Sequence, residues 1–225
     1  LEISKPLAPS IYRDVVAITQ DSDGTLSING RGEVIEWAVH MNRFPEEDVL
    51  ERIAERNEIS VELSATLGKQ IADYHRGLKE VETDDGAPRI REIIEELTNA
   101  FADDSLAIPH HLATEFKSRA TAVFEVQSAH LDKRATHGLV RRCHGDLHLR
   151  NIVMIDGVPT LFDALEFDER LATTDVLYDV AFLIMDMLHR GLRHQANVVF
   201  NRYIYFSCSS VQAHGFEILP LFFAI

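Results

Sequence analysis

His144-Gly145-Asp146-Leu147-His148-Leu149-Arg150-Asn151 opens the stretch that decides the fold, and Ile152-Val153-Met154-Ile155-Asp156, Gly157-Val158-Pro159 and Thr160-Leu161-Phe162-Asp163 complete it. An acid and an amide five positions apart in a loop lead into two short apolar runs with a turn at Gly157-Val158-Pro159 between them. That pattern predicts a tight hairpin. Strands rise about 3.3 Å per residue, so arms of similar length return Asp163 to the side of Asn151, within reach of one shared ion.

Phosphoryl transfer asks few things of a protein: a carboxylate to receive the acceptor proton, and oxygen ligands that hold magnesium against nucleotide phosphates. The interval from Asp146 to Asn151 is that of a kinase catalytic loop. The stretch resembles the aminoglycoside phosphotransferase family, relatives of choline kinases and protein kinases, whose loop reads His-Gly-Asp-x-His-x-x-Asn. The likeness covers residues 7–225 and is to the phosphotransferase-like domain that some bacterial proteins carry ahead of a P-loop ATP-binding domain, although no P-loop occurs in this sequence.

The resemblance implies an α/β (α+β) protein-kinase-like fold of two lobes: a partial, β-rich N-terminal lobe over residues 1–42 and a helical C-terminal lobe over 43–225, with the catalytic loop and metal hairpin at 140–168. It also implies an ATP-dependent phosphotransferase that moves the γ-phosphoryl group to a hydroxyl of a small molecule with Mg2+. Asp146 would be the base, and Asn151 and Asp163 the magnesium ligands. His144 would support the loop by packing and hydrogen bonding. For His148, loop support competes with a role near phosphate, and for Asp179, anchorage of the loop backbone competes with a solvated helix face.

Upstream, residues 15–20, 25–29 and 33–42 read as strands. Ile35, Trp37, Val39 and Met41 alternate with polar or small residues, the period of a strand buried on one face. Gly30-Arg31-Gly32 reads as a hairpin turn. Residues 41–44 would be the hinge, which makes Met41, Asn42 and Arg43 adenine-edge candidates by position, against a plain connector. From Pro45 the period becomes helical: Ser60 caps a helix carrying Leu63, Leu67, Ile71, Tyr74 and Leu78, a break falls at 84–88, and further helices follow. Thr173 or Thr174 would cap a helix with the buried stripe Val176, Val180, Ile184 and Leu188, and Asp186 falls on nearly the same face as Asp179. Glu166, Asp168 and Glu169 form either an acidic rim for an ammonium-bearing acceptor or a solvated loop.

At 225 residues and 46% hydrophobic content the chain can bury a substantial core. A net charge of −14 disfavours general nucleic-acid binding, which depends on basic residues, and suits a cationic acceptor. The run at 218–225 is too short for a membrane span, which needs about twenty apolar residues. Cys143 and Cys208, far apart, argue against a disulfide framework and favour a cytoplasmic protein. The chain begins at Leu1 without methionine and stops inside an apolar run, so both ends read as cut; the phosphate-covering loop and ATP-anchoring lysine of kinase-like folds are expected upstream, with Glu2 a candidate partner for that lysine. Two rival classes compete with this reading: a nucleotide-binding or regulatory module without catalysis, and a metallophosphoesterase built on His144, Asp146 and His148. The second lacks the further Gly-Asp-x-x-Asp and Gly-Asn-His motifs such sites use.

Overall fold

Three antiparallel strands, β1 (Tyr12–Gln20), β2 (Leu26–Ile28) and β3 (Glu33–Met41), form a sheet of order β2-β1-β3 in the computed structural model, which describes residues 1–103, 106–207 and 214–225. A short helix, α1 (Ser4–Leu7), precedes it. Gly30-Arg31-Gly32 is not the hairpin turn its sequence suggests: β2 and β3 lie on opposite sides of β1, so these residues cross from one edge of the sheet to the other. The alternation of β3 is real, but its apolar face is not covered. Ile35, Trp37, Val39 and Met41 are 49%, 62%, 50% and 37% exposed. Period two reports that one face differs from the other; whether anything packs on that face is a tertiary matter.

After the connector at 42–49, the chain is mostly helical: α2 (Leu50–Glu55), α3 (Val61–Gly77), α4 (Gly86–Phe101) and α5 (His110–Thr136). Ser60 caps α3 as its sequence predicts, its hydroxyl accepting from Leu63 N at 3.1 Å. The second half interleaves β4 (Val140–Arg142), the hairpin β5 (Ile152–Ile155) and β6 (Val158–Leu161), α6 (Glu169–Ala172), β7 (Thr173–Asp175), α7 (Val176–His189), α8 (Arg193–Ser207) and α9 (Leu219–Phe222). β4 pairs antiparallel with β7, Val140 opposite Asp175.

Two expected boundaries move. Thr173 and Thr174 belong to β7, and the cap of α7 is Asp175, whose side chain accepts from Leu177 N at 2.8 Å. On α7 the buried stripe runs through Val176, Val180, Ile184 and Met187, while Leu188 is 41% exposed. Real helices turn 3.6 residues, not four, so a stripe extrapolated by fours drifts off the core after three turns. The hairpin also turns one residue earlier than the sequence suggested. Its two-residue turn is Asp156-Gly157, both at positive φ (50° and 78°), and Pro159 lies within β6 opposite Met154. Asp-Gly is the pair that a type I′ hairpin turn favours.

The main core gathers Leu67 and Ile71 of α3, Ile90 of α4, Phe124 and Leu131 of α5, Val180 and Ile184 of α7 and Val199 and Tyr203 of α8, together with Leu147, Leu149 and Ile152 from the loop and hairpin. Each fully buried aliphatic contributes about 1.5–3 kcal/mol, so Leu147 and Leu149 fasten the loop that precedes the hairpin to the core. A smaller cluster of Ala8, Ile11, Tyr12, Val49 and Val153 joins the sheet to the hairpin. Arg134 at the end of α5 grips Asp175 with two buried contacts at 2.6 and 2.7 Å. No helix among the described residues is long and apolar enough to cross a membrane. Cys143 is buried and free; Cys208 lies outside the described residues.

Candidate active site

β4 delivers the chain into the loop 143–151, and the hairpin carries it back. Phe162 N donates to Asn151 O at 2.9 Å, which extends the ladder past Ile152 opposite Leu161 and leaves Asp163 one residue beyond the pairing. Asn151 donates from Nδ2 to the Asp146 carbonyl at 2.9 Å and to Asp146 Oδ2 at 3.0 Å. Both amide hydrogens are thereby used, and Oδ1 is left as an acceptor. Asp146, Asp163 and Glu166 line one cleft of about 280 Å³ with Ser4, Tyr12, Val39, Met41 and Leu165.

Asp163 has φ +60°, a left-handed conformation that Asp tolerates better than most residues. Its N–H donates to the Tyr12 hydroxyl at 2.9 Å, and no described residue donates to its carboxylate. Tyr12 was not foreseen. It is a buried phenol whose pKa is raised by burial, and only the meeting of β1 with the hairpin brings it to Asp163.

His144 is fully buried. Nε2 meets the Phe162 carbonyl at 2.8 Å and Nδ1 meets Asp146 N at 3.4 Å, so the ring is neutral with its hydrogen on Nε2. Burial lowers its pKa against the opposing pull of Asp179. The imidazole thus bridges the loop and the hairpin. Gly145, with φ +79°, leaves no room for a side chain: a Cβ would stand 3.0 Å from that of Ala172 and 3.1 Å from that of Leu165.

Asp179 reaches back to the loop. Oδ1 accepts from Gly145 N at 2.9 Å, and Oδ2 from His144 N at 3.3 Å and from His75 Nε2 at 3.0 Å. Burial disfavours its charge, but the His75 hydrogen bond, the nearby imidazoles and the Gly145 N–H outweigh this and hold the carboxyl below its ordinary range. His75 Nδ1 meets the Tyr203 hydroxyl at 3.0 Å. His75 and Tyr203 were missed because α3 and α8 lie 128 residues apart along the chain at this contact. Cys143 completes a buried trio with His75 and Asp179; its thiol donates to the Thr174 carbonyl at 3.6 Å. Seven residues on, about 10.5 Å along the helix, Asp186 Oδ2 accepts from Leu149 N at 3.0 Å. One helix face therefore holds the loop at two points.

The other candidates separate. His148 Nε2 lies 3.3 Å from Asp146 Oδ1, and its Nδ1 is buried without a partner among the described residues. Met41 lines the cleft, but Asn42 uses its N–H on Ile11 O at 2.8 Å and its side chain on Ser10 O at 2.8 Å, so neither donor is free for adenine. Arg43 is exposed. Glu166 lines the same cleft as Asp146 and Asp163, where it accepts from Ser4 N at 2.7 Å, whereas Asp168 caps α6 through Leu171 N at 3.1 Å. Glu169 is exposed. Of the three acids, Glu166 lines the cleft and Asp168 and Glu169 do not. Glu2 lines a separate cavity between α1, the end of α3 and β6, not the cleft of Asp163.

A helical body with a three-stranded sheet against a loop-and-hairpin site defines a kinase-like protein. Three solved structures share that fold. Two crystal forms of a glucosamine kinase superpose with TM-scores of 0.52 and 0.51 at 17% and 20% identity, over 89% of this chain and 56% and 55% of theirs. The same enzyme in complex with glucosamine, ADP and inorganic phosphate gives 0.51 at 19%, over 88% and 52%. The model of the phosphotransferase enzyme family, APH, matches residues 25–212. The chain belongs to that family. Uncharacterized proteins of Mycobacterium tuberculosis and Mycobacterium bovis are 35% identical over 81 residues, 36% of this chain and 15% of theirs. The chain thus spans a small part of these relatives and about half of the glucosamine kinase.

Proposed function

We propose that the protein transfers the γ-phosphoryl group of ATP to a hydroxyl of a small molecule. The observation that carries this is the joining of Asp146 to Asn151 by a side-chain hydrogen bond beside a cleft that Asp146 shares with Asp163. The donor set suits magnesium: a hard cation takes oxygen ligands, and Asn151 Oδ1 and the Asp163 carboxylate are oxygen atoms with no protein donor among the described residues. Magnesium bound there would neutralise phosphate charge.

Asp146 receives the proton of the acceptor hydroxyl as its oxygen forms a bond to the γ-phosphorus; the bond from that phosphorus to the bridging oxygen breaks and ADP leaves. His148 and Asn151 hold the two carboxylate oxygens of Asp146, which keeps its orientation fixed during the transfer. Met41 and Val39 supply an apolar wall suited to adenine. In this reading residues 1–42 are the small lobe, 43–225 the large one, and the protein works in the cytoplasm, with a P-loop domain as a further part of the full-length protein.

The acidic chain favours an acceptor that carries a cationic group. The test is ADP release by the full-length protein with ATP and magnesium over a panel of aminoglycosides, amino sugars, amino alcohols, neutral sugars and nucleosides. Release that depends on one acceptor class and disappears in Asp146→Ala supports the proposal. A nucleotide-induced rise in melting temperature with no ADP release from any acceptor would replace it with a binding module.

A further inference from the structure

We propose that Glu51, Arg190 and Asp186 form a positioning network that presents Asn151 to the metal, an inference that rests on the phosphotransferase reading. Asn151 ends a single 3-10 turn, Leu149–Asn151. So short a turn has no register of its own, and its orientation is set by whatever holds its first amide. The buried Leu149 side chain places the turn, and Asp186 Oδ2, at 3.0 Å from Leu149 N, orients it.

Asp186 is itself held. Its Oδ1 accepts from Arg190 Nε at 2.8 Å, and Arg190 Nη2 donates to Glu51 Oε1 at 2.7 Å. Glu51 Oε2 lies 3.9 Å from Nε of Arg150, the middle residue of the same turn. The contacts close a ring from the turn through α7 to α2 and back. Side-chain exposures of 15%, 24% and 20% for Asp186, Arg190 and Glu51 keep these three from the full screening of surface pairs, while Arg150, 67% exposed, adds a weaker, screened contact.

The ring also reaches the connector between sheet and helices. Glu51 is the second residue of α2, and Val49, just before it, bridges Val153 in β5. A shift in the connector would therefore be felt at both the turn that bears Asn151 and the strand that follows it. Asp179 holds only the start of the loop, at residues 144 and 145.

The experiment titrates the full-length protein with Mn2+ in the presence of ADP and reads free Mn2+ by electron paramagnetic resonance, with circular dichroism as the check on folding. Arg190→Met is expected to weaken Mn2+ binding about tenfold, the lower end of what supporting groups around a metal contribute. Arg190→Lys should recover most of it, and Glu51→Gln should weaken it in the same direction. In an Asn151→Ala background Arg190→Met should have no further effect, which a general loss of stability would not reproduce. If Arg190→Met and Glu51→Gln bind Mn2+ as the wild type does while Asp163→Asn loses it, the network is not a positioning device and the phosphotransferase reading stands. If Asp163→Asn binds like the wild type, the metal assignment is wrong and this inference goes with it.

Discussion

Asp146 touches the reacting hydroxyl in the proposed reaction, and the residues around it only hold it. Asp146→Ala should therefore lower turnover by about 10²- to 10⁴-fold, the usual worth of a positioned base, and leave nucleotide affinity nearly intact; steady-state rates beside nucleotide titrations check both halves. His144 makes a different prediction. Its folded pKa lies below its ordinary value near 6.5 because the ring is buried, so on acidification the unfolded chain takes up a proton that the folded chain refuses. Stability is then fully present above about pH 6.5 and falls as pH drops toward the folded pKa, by up to about 1.4 kcal/mol per unit. Urea midpoints between pH 7.5 and 5 should show a steeper decline in the wild type than in His144→Gln. Asp146, Asn151 and Asp163 could be named from sequence because the motif is local. Tyr12, His75 and Tyr203 could not, since each reaches its partner across most of the chain.

At the scale of elements, α7 is both a core helix and the anchor of the loop. Its buried face is apolar except for Asp179, and removing that carboxylate strands two loop amides and the His75 imidazole in the interior. Asp179→Ala should cost about 3–5 kcal/mol, since it leaves three buried donors without an acceptor at about 1–3 kcal/mol each, and should also suppress activity; denaturant unfolding together with ADP release measures the two. The hairpin carries a smaller, purely conformational prediction. Gly157 has φ +78° and open space around its missing Cβ, so Gly157→Ala should destabilise by about 1 kcal/mol through backbone strain alone. A larger loss would mean that the turn makes contacts beyond its backbone. Helices α3 and α7 and the hairpin were legible because their periods and turn residues are local. The starts of α7 and of the turn were displaced by a residue or two, because pairing of β7 with β4, and of β6 with β5, claims residues that a cap or turn could also have used.

In the whole molecule, the helices enclose a continuous core while the sheet offers an uncovered apolar face. Trp37, the single tryptophan of the chain, stands on that face at 62% exposure. In the 225-residue protein its emission should be red-shifted and strongly quenched by acrylamide before any denaturant is added. A blue-shifted, protected signal would show that the face is covered in solution, by a second copy or by another part of the chain.

By itself the sequence determined the elements whose signals are short-ranged: the loop motif, the strand that follows it, the amphipathic helices and the family they point to. Backbone preference and side-chain periodicity act over a few residues, so they are written where they operate. Tertiary structure alone decided which acids face the cleft, that Asp179 and Asp186 hold the loop at two points, that Glu166 reaches the amide of Ser4, and that the apolar face of β3 lies open. Each of these depends on which distant surface arrives opposite a side chain, and no local pattern of charge or hydrophobicity carries that information.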